Sequence, residues 1–282
     1  MVTLRRQREA ADARLTAERQ ETKYVLPGVS AQTLARALAQ ELPTHRYEGE
    51  GANRLPRPHH FVTTIYFDTP SRDLYRAAVH SDANIKLRAK EYYDLHPSLA
   101  EVATHPRQLV RFHPVLWLEV KHKAGSRTGK HRVGIPKTEV PEFFASGRVT
   151  AEMIEIQEAA YGKGAVRWFA EVAQLCRRYR EPLQANSLVN YRRLAWQDDE
   201  ADLRVTLDVN LACYAPPADL WSREHALVRD TLGVPAGTEA RCILEAKARG
   251  DLPAWLGEVL RQTRAEPIAY SKFEAASRAI HG

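Results

Sequence analysis

The strongest constraint in this sequence is an alternation of charged and apolar residues repeated along six separate segments. A β-strand sends successive side chains to opposite faces, so each segment splits in two by position. In "CILEAKARGD", Ile243, Glu245 and Lys247 share one face, and Leu244, Ala246 and Ala248 share the other. In "IKLRAKEY", Lys86, Arg88 and Lys90 oppose Ile85, Leu87 and Ala89. "LWLEVKHK" sets Glu119, Lys121 and Lys123 against Leu118 and Val120, and "KHRVGI" sets Lys130 and Arg132 against His131, Val133 and Ile135. "RVTLDVNL" sets Arg204, Thr206, Asp208 and Asn210 against Val205, Leu207, Val209 and Leu211, and "ETKYVL" sets Glu21 and Lys23 against Tyr24 and Leu26.

A single strand of this kind is an ordinary sheet strand with one face in water. Six of them would make a broad charged face with edges that need protection. Closing the sheet removes the edges and turns the charge inward. The expected fold is therefore α+β: a closed antiparallel barrel with a charged lumen and helices packed outside. A lumen rich in Lys and Arg calls for a polyanion, because like charges repel strongly in a partly desolvated space. The carboxylates Glu21, Glu119, Asp208 and Glu245 would be hard oxygen ligands for a divalent cation bridging to that anion, so phosphate chains with Mg²⁺ or Mn²⁺ fit both halves of the inventory.

The rest of the chain suits this frame. Its 282 residues are 44% hydrophobic and carry a net charge of +6, enough for a real core and favourable to an anionic ligand. Three cysteines, Cys176, Cys213 and Cys242, are far apart in sequence and predict buried thiols in a reducing compartment. No apolar run is long enough for a transmembrane segment, and the N-terminus lacks the apolar stretch of a secretory signal, so a cytoplasmic protein is expected. Residues 1–20 read as a charged arm or helix, and 21–282 as one domain. Helices are expected at Ser30–Leu42, with Ser30 as N-cap, after "YFDT", through Glu139–Arg180, and twice at the C-terminus. Asp68 of "YFDT" either faces the lumen with Tyr66 or caps the turn before Pro70 and Ser71. Histidines, including His113, His122 and His131, read as surface or internally satisfied residues, having no helical metal spacing. Basic residues on the inner positions of strands, rather than along an exposed groove with stacking aromatics, argue against nucleic acid.

The motifs resemble a known family. Glu21-x-Lys23, "YFDT", "KLRAKEY", "EVKHK", "TGKHR", "NYRR", "LDVN", "LEAK" and the terminal "YSKF" occur in the order found in the VTC domain. This is the polyphosphate polymerase domain of the CYTH-like triphosphate tunnel metalloenzyme superfamily. The resemblance implies an eight-stranded tunnel, a divalent metal, and transfer of the γ-phosphate of ATP to a growing inorganic polyphosphate chain. It implies that Lys23, Lys86, Arg88, Lys121, Arg132, Arg192, Lys247 and Lys272 hold phosphates, with Lys23, Arg88, Lys121 and Lys272 at the reacting groups. Glu245 would be the main metal ligand. Alternation alone leaves open whether Arg192 or Arg193 faces inward. The superfamily's Glu-x-Glu-x-Lys start carries Arg19 in its first position here, which favours the polymerase branch over plain triphosphatases. Hydrolysis of a triphosphate and non-catalytic polyphosphate binding are the competing readings, and a membrane-protein partner is not visible from sequence.

Overall fold

A computed structural model of the chain describes residues 20–45, 59–81, 83–93, 113–124, 127–198, 202–224 and 226–282. The expected N-terminal arm, apart from Gln20, lies outside the described residues. The described residues form a mixed α+β fold of ten strands and seven α-helices, and no helix among them is long and apolar enough to cross a membrane. The chain divides into two compact units: residues up to His60 with Tyr191–Leu211 and Glu239–Tyr270, and Phe61–Asn190 with Ala212–Thr238 and Ser271–Gly282. Strands β6 (Gln184–Gln197) and β7 (Leu203–Tyr214) contribute residues to both.

The first unit holds β1 (Gln20–Leu26), α1 (Ala31–Glu41), β9 (Cys242–Ala248), α6 (Ala254–Gln262) and β10 (Glu266–Pro267), with strand order β10-β1-β9-β7-β6. Leu34 and Leu38 of α1 are one helical turn apart and buried, as are Leu256 and Leu260 of α6. They pack with Val205, Leu207, Val209, Leu244, Ala246 and Trp196. The apolar positions of the strands thus face the helices, which leaves Glu245 and Lys247 on the other side. Ser30 makes no side-chain cap bond; a 3-10 turn over Gly28–Ser30 runs straight into α1 instead. Asn210 ends the alternation of β7 with φ of 57°, a left-handed conformation that Asn tolerates better than most residues.

The second unit holds β2 (His59–Asp68), α2 (Asp73–His80), β3 (Ala83–Tyr93), β4 (Val115–Ala124), β5 (Arg127–Pro136), α3 (Val140–Ser146), α4 (Ala151–Tyr161), α5 (Arg167–Arg178) and α7 (Lys272–His281). Its strand order is β6-β2-β3-β4-β5, and the short β8 (Gly237–Glu239) pairs with β7. Phe143 meets both Phe144 and Phe169 in the core between the helices. Asp68 caps α2: its carboxylate accepts from the backbone N–H groups of Thr69 at 2.8 Å, Leu74 at 2.8 Å and Tyr75 at 2.9 Å. A buried ion pair joins Lys137 to Glu91, whose other oxygen accepts from the Leu227 N–H at 2.9 Å.

The six alternating segments are all strands, as β1, β3, β4, β5, β7 and β9, but the expected closed eight-stranded barrel is corrected in two respects. Among the described residues there are ten strands, their order is open with β5 at one end and β10 at the other, and no ladder joins the two. Each end has a physical stop. At β5, the fully buried Gln157 of α4 accepts from Gly134 N–H at 3.1 Å and donates to the Arg132 carbonyl at 3.0 Å. It thereby takes the backbone groups that a further strand would use. At the other end β10 is two residues long and closes with Pro267, which has no N–H to offer.

Candidate functional site

In the second unit the registers of β3, β4 and β5 place charges abreast. Arg88 is directly opposite Glu119, which is opposite Arg132. In the next row Lys86 faces Lys121 and Lys121 faces Lys130. Like charges directly opposite on a sheet repel, so this row favours groups of opposite sign beside it. On these strand positions Lys86, Arg88, Lys90, Lys121, Lys123, Lys130 and Arg132 are set against the single carboxylate of Glu119. Arg88 Nε donates to Glu119 Oε1 at 2.7 Å, and Arg132 donates to Oε2 through Nε at 3.1 Å and Nη2 at 3.0 Å. Burial opposes the ionisation of Glu119, but Arg88, Lys90 and Arg132 outweigh it and hold the carboxyl well below its ordinary range. Lys86 Nζ donates to Glu274 Oε1 and Ser271 Oγ, both at 2.9 Å, in the first turn of α7, the helix that Lys272 opens. Tyr66, opposite Arg88, packs on Phe273 of the same helix with ring centroids 5.3 Å apart. Thr64, opposite Lys90, has a buried hydroxyl that makes no hydrogen bond.

The first unit repeats the pattern with more carboxylates. Lys23 on β1, Glu245 on β9 and Thr206 on β7 form one row, and Glu21, Lys247 and Arg204 form the next. Lys247 Nζ lies 2.8 Å from Glu245 Oε1 and 3.3 Å from Glu21 Oε2, so one ammonium bridges two carboxylates. Lys23 Nζ is 3.4 Å from Glu21 Oε1 and donates to the Tyr270 carbonyl at 3.0 Å. Arg193 grips Asp208 with both arms, at 2.6 and 2.7 Å, and lies over the Tyr191 ring. Burial works against the charge on Glu245, yet Lys247, Arg193 and Lys23 hold it ionised far below the usual carboxylate range. Burial likewise opposes the charge on Lys247, and Glu245 and Glu21 raise its pKa in spite of it. Thr206 is 6% exposed, and its hydroxyl makes no hydrogen bond.

The whole sequence decides the family. Residues 18–281 match the VTC domain. The chain belongs to the VTC domain family. Among solved structures it is similar to HpAC1 of Hippeastrum, a protein named for adenylyl cyclase and described as having a dominant triphosphatase activity. That likeness has 18% identity and a TM-score of 0.46, over 93% of this chain and 95% of that one. A Bacillus halodurans protein named for adenylate cyclase is similar at 12% identity and a TM-score of 0.46, over 92% of this chain and 98% of that one. No curated protein matches the sequence.

The VTC residues anticipated from sequence divide between the units. Lys86, Arg88, Lys121 and Arg132 share the β3-β4-β5 face, with Lys272 at the start of α7; Lys23, Lys247, Glu21, Glu245 and Asp208 share the β1-β9-β7 face. Arg192 does not join them. It has the parity of Leu194 and Trp196, which pack in the apolar cluster, and its charge acts on Cys242 at the edge of that cluster. Arg193 takes the charged face instead. Those two large apolar residues at the Arg192 parity were the signal for this in the sequence. Of the four expected metal carboxylates, Glu119 belongs to the second unit and Glu21, Asp208 and Glu245 to the first. Glu119 is held by two guanidinium groups and Asp208 by one. Glu21 and Glu245, on either side of one ammonium, are the pair that suits a divalent ion. Mg²⁺ in particular is commonly held by one or two carboxylates, with substrate phosphates and water completing its shell.

Proposed function

We propose that this VTC domain is a metal-dependent phosphotransferase that moves the γ-phosphate of ATP onto the end of an inorganic polyphosphate chain. The observation that carries this reading is the row Lys86–Lys121–Lys130 beside Arg88–Glu119–Arg132. Phosphoryl transfer needs little covalent help from a protein; positioning and neutralisation of charge do most of the work. Lys86, Lys121 and Arg132 neutralise successive phosphates, and Glu119 fixes the direction of the Arg88 and Arg132 guanidinium planes, which suit bidentate contact with phosphate. Lys272 at the N-terminus of α7 adds a cation where the helix dipole already favours an anion.

In this reading Glu245 and Glu21 would hold Mg²⁺ or Mn²⁺, and Lys247, which lies between them, would serve a phosphate. The metal supplies further neutralisation of the transferring phosphoryl group. The reading rests on the charged strand faces and does not require a closed barrel. Its test is incubation of the protein with ATP and Mn²⁺ or Mg²⁺, with ADP, free phosphate and chain products resolved. Chains lengthening in step with ADP support transfer. Free phosphate in step with ADP, and no chains, would replace the proposal with hydrolysis, and no ADP at all would leave a binding module.

A further inference from the structure

We propose that His122, His131 and Glu171 form a Zn²⁺ site on the second unit, distinct from the phosphate-binding face. His131 on β5 is opposite Val120, and His122 on β4 is opposite Gly129. Both therefore have the parity opposed to Glu119, Lys121 and Arg132, on the side where α5 packs against β5 and brings Glu171. One ligand atom from each of the three lies within 4.8 Å of the other two. His131 Nε2 is 3.4 Å from Glu171 Oε2, beyond the usual 2.7–3.2 Å of an N–H···O bond. It is buried and makes no hydrogen bond. Tetrahedral zinc, with ligand distances of about 2.0–2.2 Å, sets two of its donor atoms about 3.4 Å apart. The His131 ring is fixed by Trp168, at 5.7 Å and 31°, and Trp168 is itself held by Tyr161 at 5.6 Å. His122 and Glu171 are exposed and free to close the remaining distance. Two imidazoles and one carboxylate select zinc over the hard cations Mg²⁺ and Mn²⁺, and three protein ligands leave the fourth position to water or an exchangeable ligand. Sequence spacing hid the site because its residues come from two strands and a helix.

Bound zinc would tie α5 to the β4–β5 hairpin, so it should stabilise the folded chain by mass action. The test is a calorimetric titration of the untagged full chain with Zn²⁺ in excess Mg²⁺, beside melting curves and the visible spectrum with Co²⁺ in place of zinc. The expected result is one saturable zinc per chain, a higher Tm, and the intense Co²⁺ absorption of a four-coordinate site. His122→Asn and Glu171→Gln change exposed side chains and should keep the fold while abolishing or weakening all three signals. Glu245→Gln, on the other charged face, should leave zinc stoichiometry unchanged. Absence of saturable zinc binding, or binding that His122→Asn and Glu171→Gln both leave intact, would overturn the site.

Discussion

At Glu245 three cations converge on one carboxylate, and that convergence makes the residue a sensitive test. Glu245→Gln keeps the shape but leaves Lys247, Arg193 and Lys23 facing one another without the charge between them. The unliganded variant should melt lower than wild type, and tripolyphosphate without metal should bind it at least as tightly, since one negative charge has left a cationic face. Turnover should fall by orders of magnitude, about tenfold for each 1.4 kcal/mol of transition-state stabilisation lost. Melting curves and turnover against Mn²⁺ concentration check both parts; wild-type turnover and metal dependence would remove Glu245 from the site. Glu119 gives a separate prediction in pH. Its folded-state pKa is depressed, so its contribution is complete above the ordinary value of about 4.5 and is lost as pH falls from there toward the folded-state value. The melting-temperature gap between wild type and Glu119→Gln should accordingly be widest near neutrality and narrow below about pH 4.5. A gap that widened with acid would contradict the arrangement.

Between neighbouring strands, the choice of Arg193 over Arg192 predicts unequal effects from adjacent substitutions. Asp208 is 1% exposed, and Arg193 spans both its oxygens. Arg193→Ala strands a buried carboxylate and should cost about 3–5 kcal/mol, as breaking a buried pair typically does. Arg192→Ala strands none. Urea titrations of the two variants check the order, and equal losses would mean that the Arg193–Asp208 pair carries no special weight. This pair also shows where the sequence stops being legible. Alternation specified six strands and, in each, which residues leave the apolar core, because one buried face fixes the side of every second residue. It could not choose between adjacent arginines without weighing Leu194 and Trp196. It could not find β8 or β10, whose three and two residues are too short for any period. Nor could it foresee Gln157 finishing the β5 edge, since nothing local marks a glutamine on a later helix as a partner for Gly134 and Arg132. Ion pairing escaped it for the same reason: parity names a face, and only register shows Glu119 between Arg88 and Arg132.

Across the whole chain the net charge is +6, but its placement matters more than its total. Lys86, Lys121 and Lys130 stand abreast, a spacing of positive charge that successive phosphates of a polyanion can match. A ligand that binds only the folded chain stabilises it by about 2.7 kcal/mol at a hundredfold excess over Kd. Tripolyphosphate should therefore raise Tm by several degrees, and longer polyphosphate should do so at lower concentration. Lys130 is exposed, so Lys130→Ala should leave the unliganded Tm near wild type, as most surface changes do. The same substitution should reduce the shift given by tripolyphosphate. Added salt should reduce the wild-type shift as well, because contacts at the open side of this face are screened within about 8–10 Å at ordinary ionic strength. Sulfate at equal ionic strength separates the two effects: it screens as tripolyphosphate does but cannot span the row. Melting curves of both proteins with tripolyphosphate, sulfate and neither complete the test. An equal shift from sulfate, or one that Lys130→Ala leaves untouched, would show that the lysine row is not where the chain of phosphates lies.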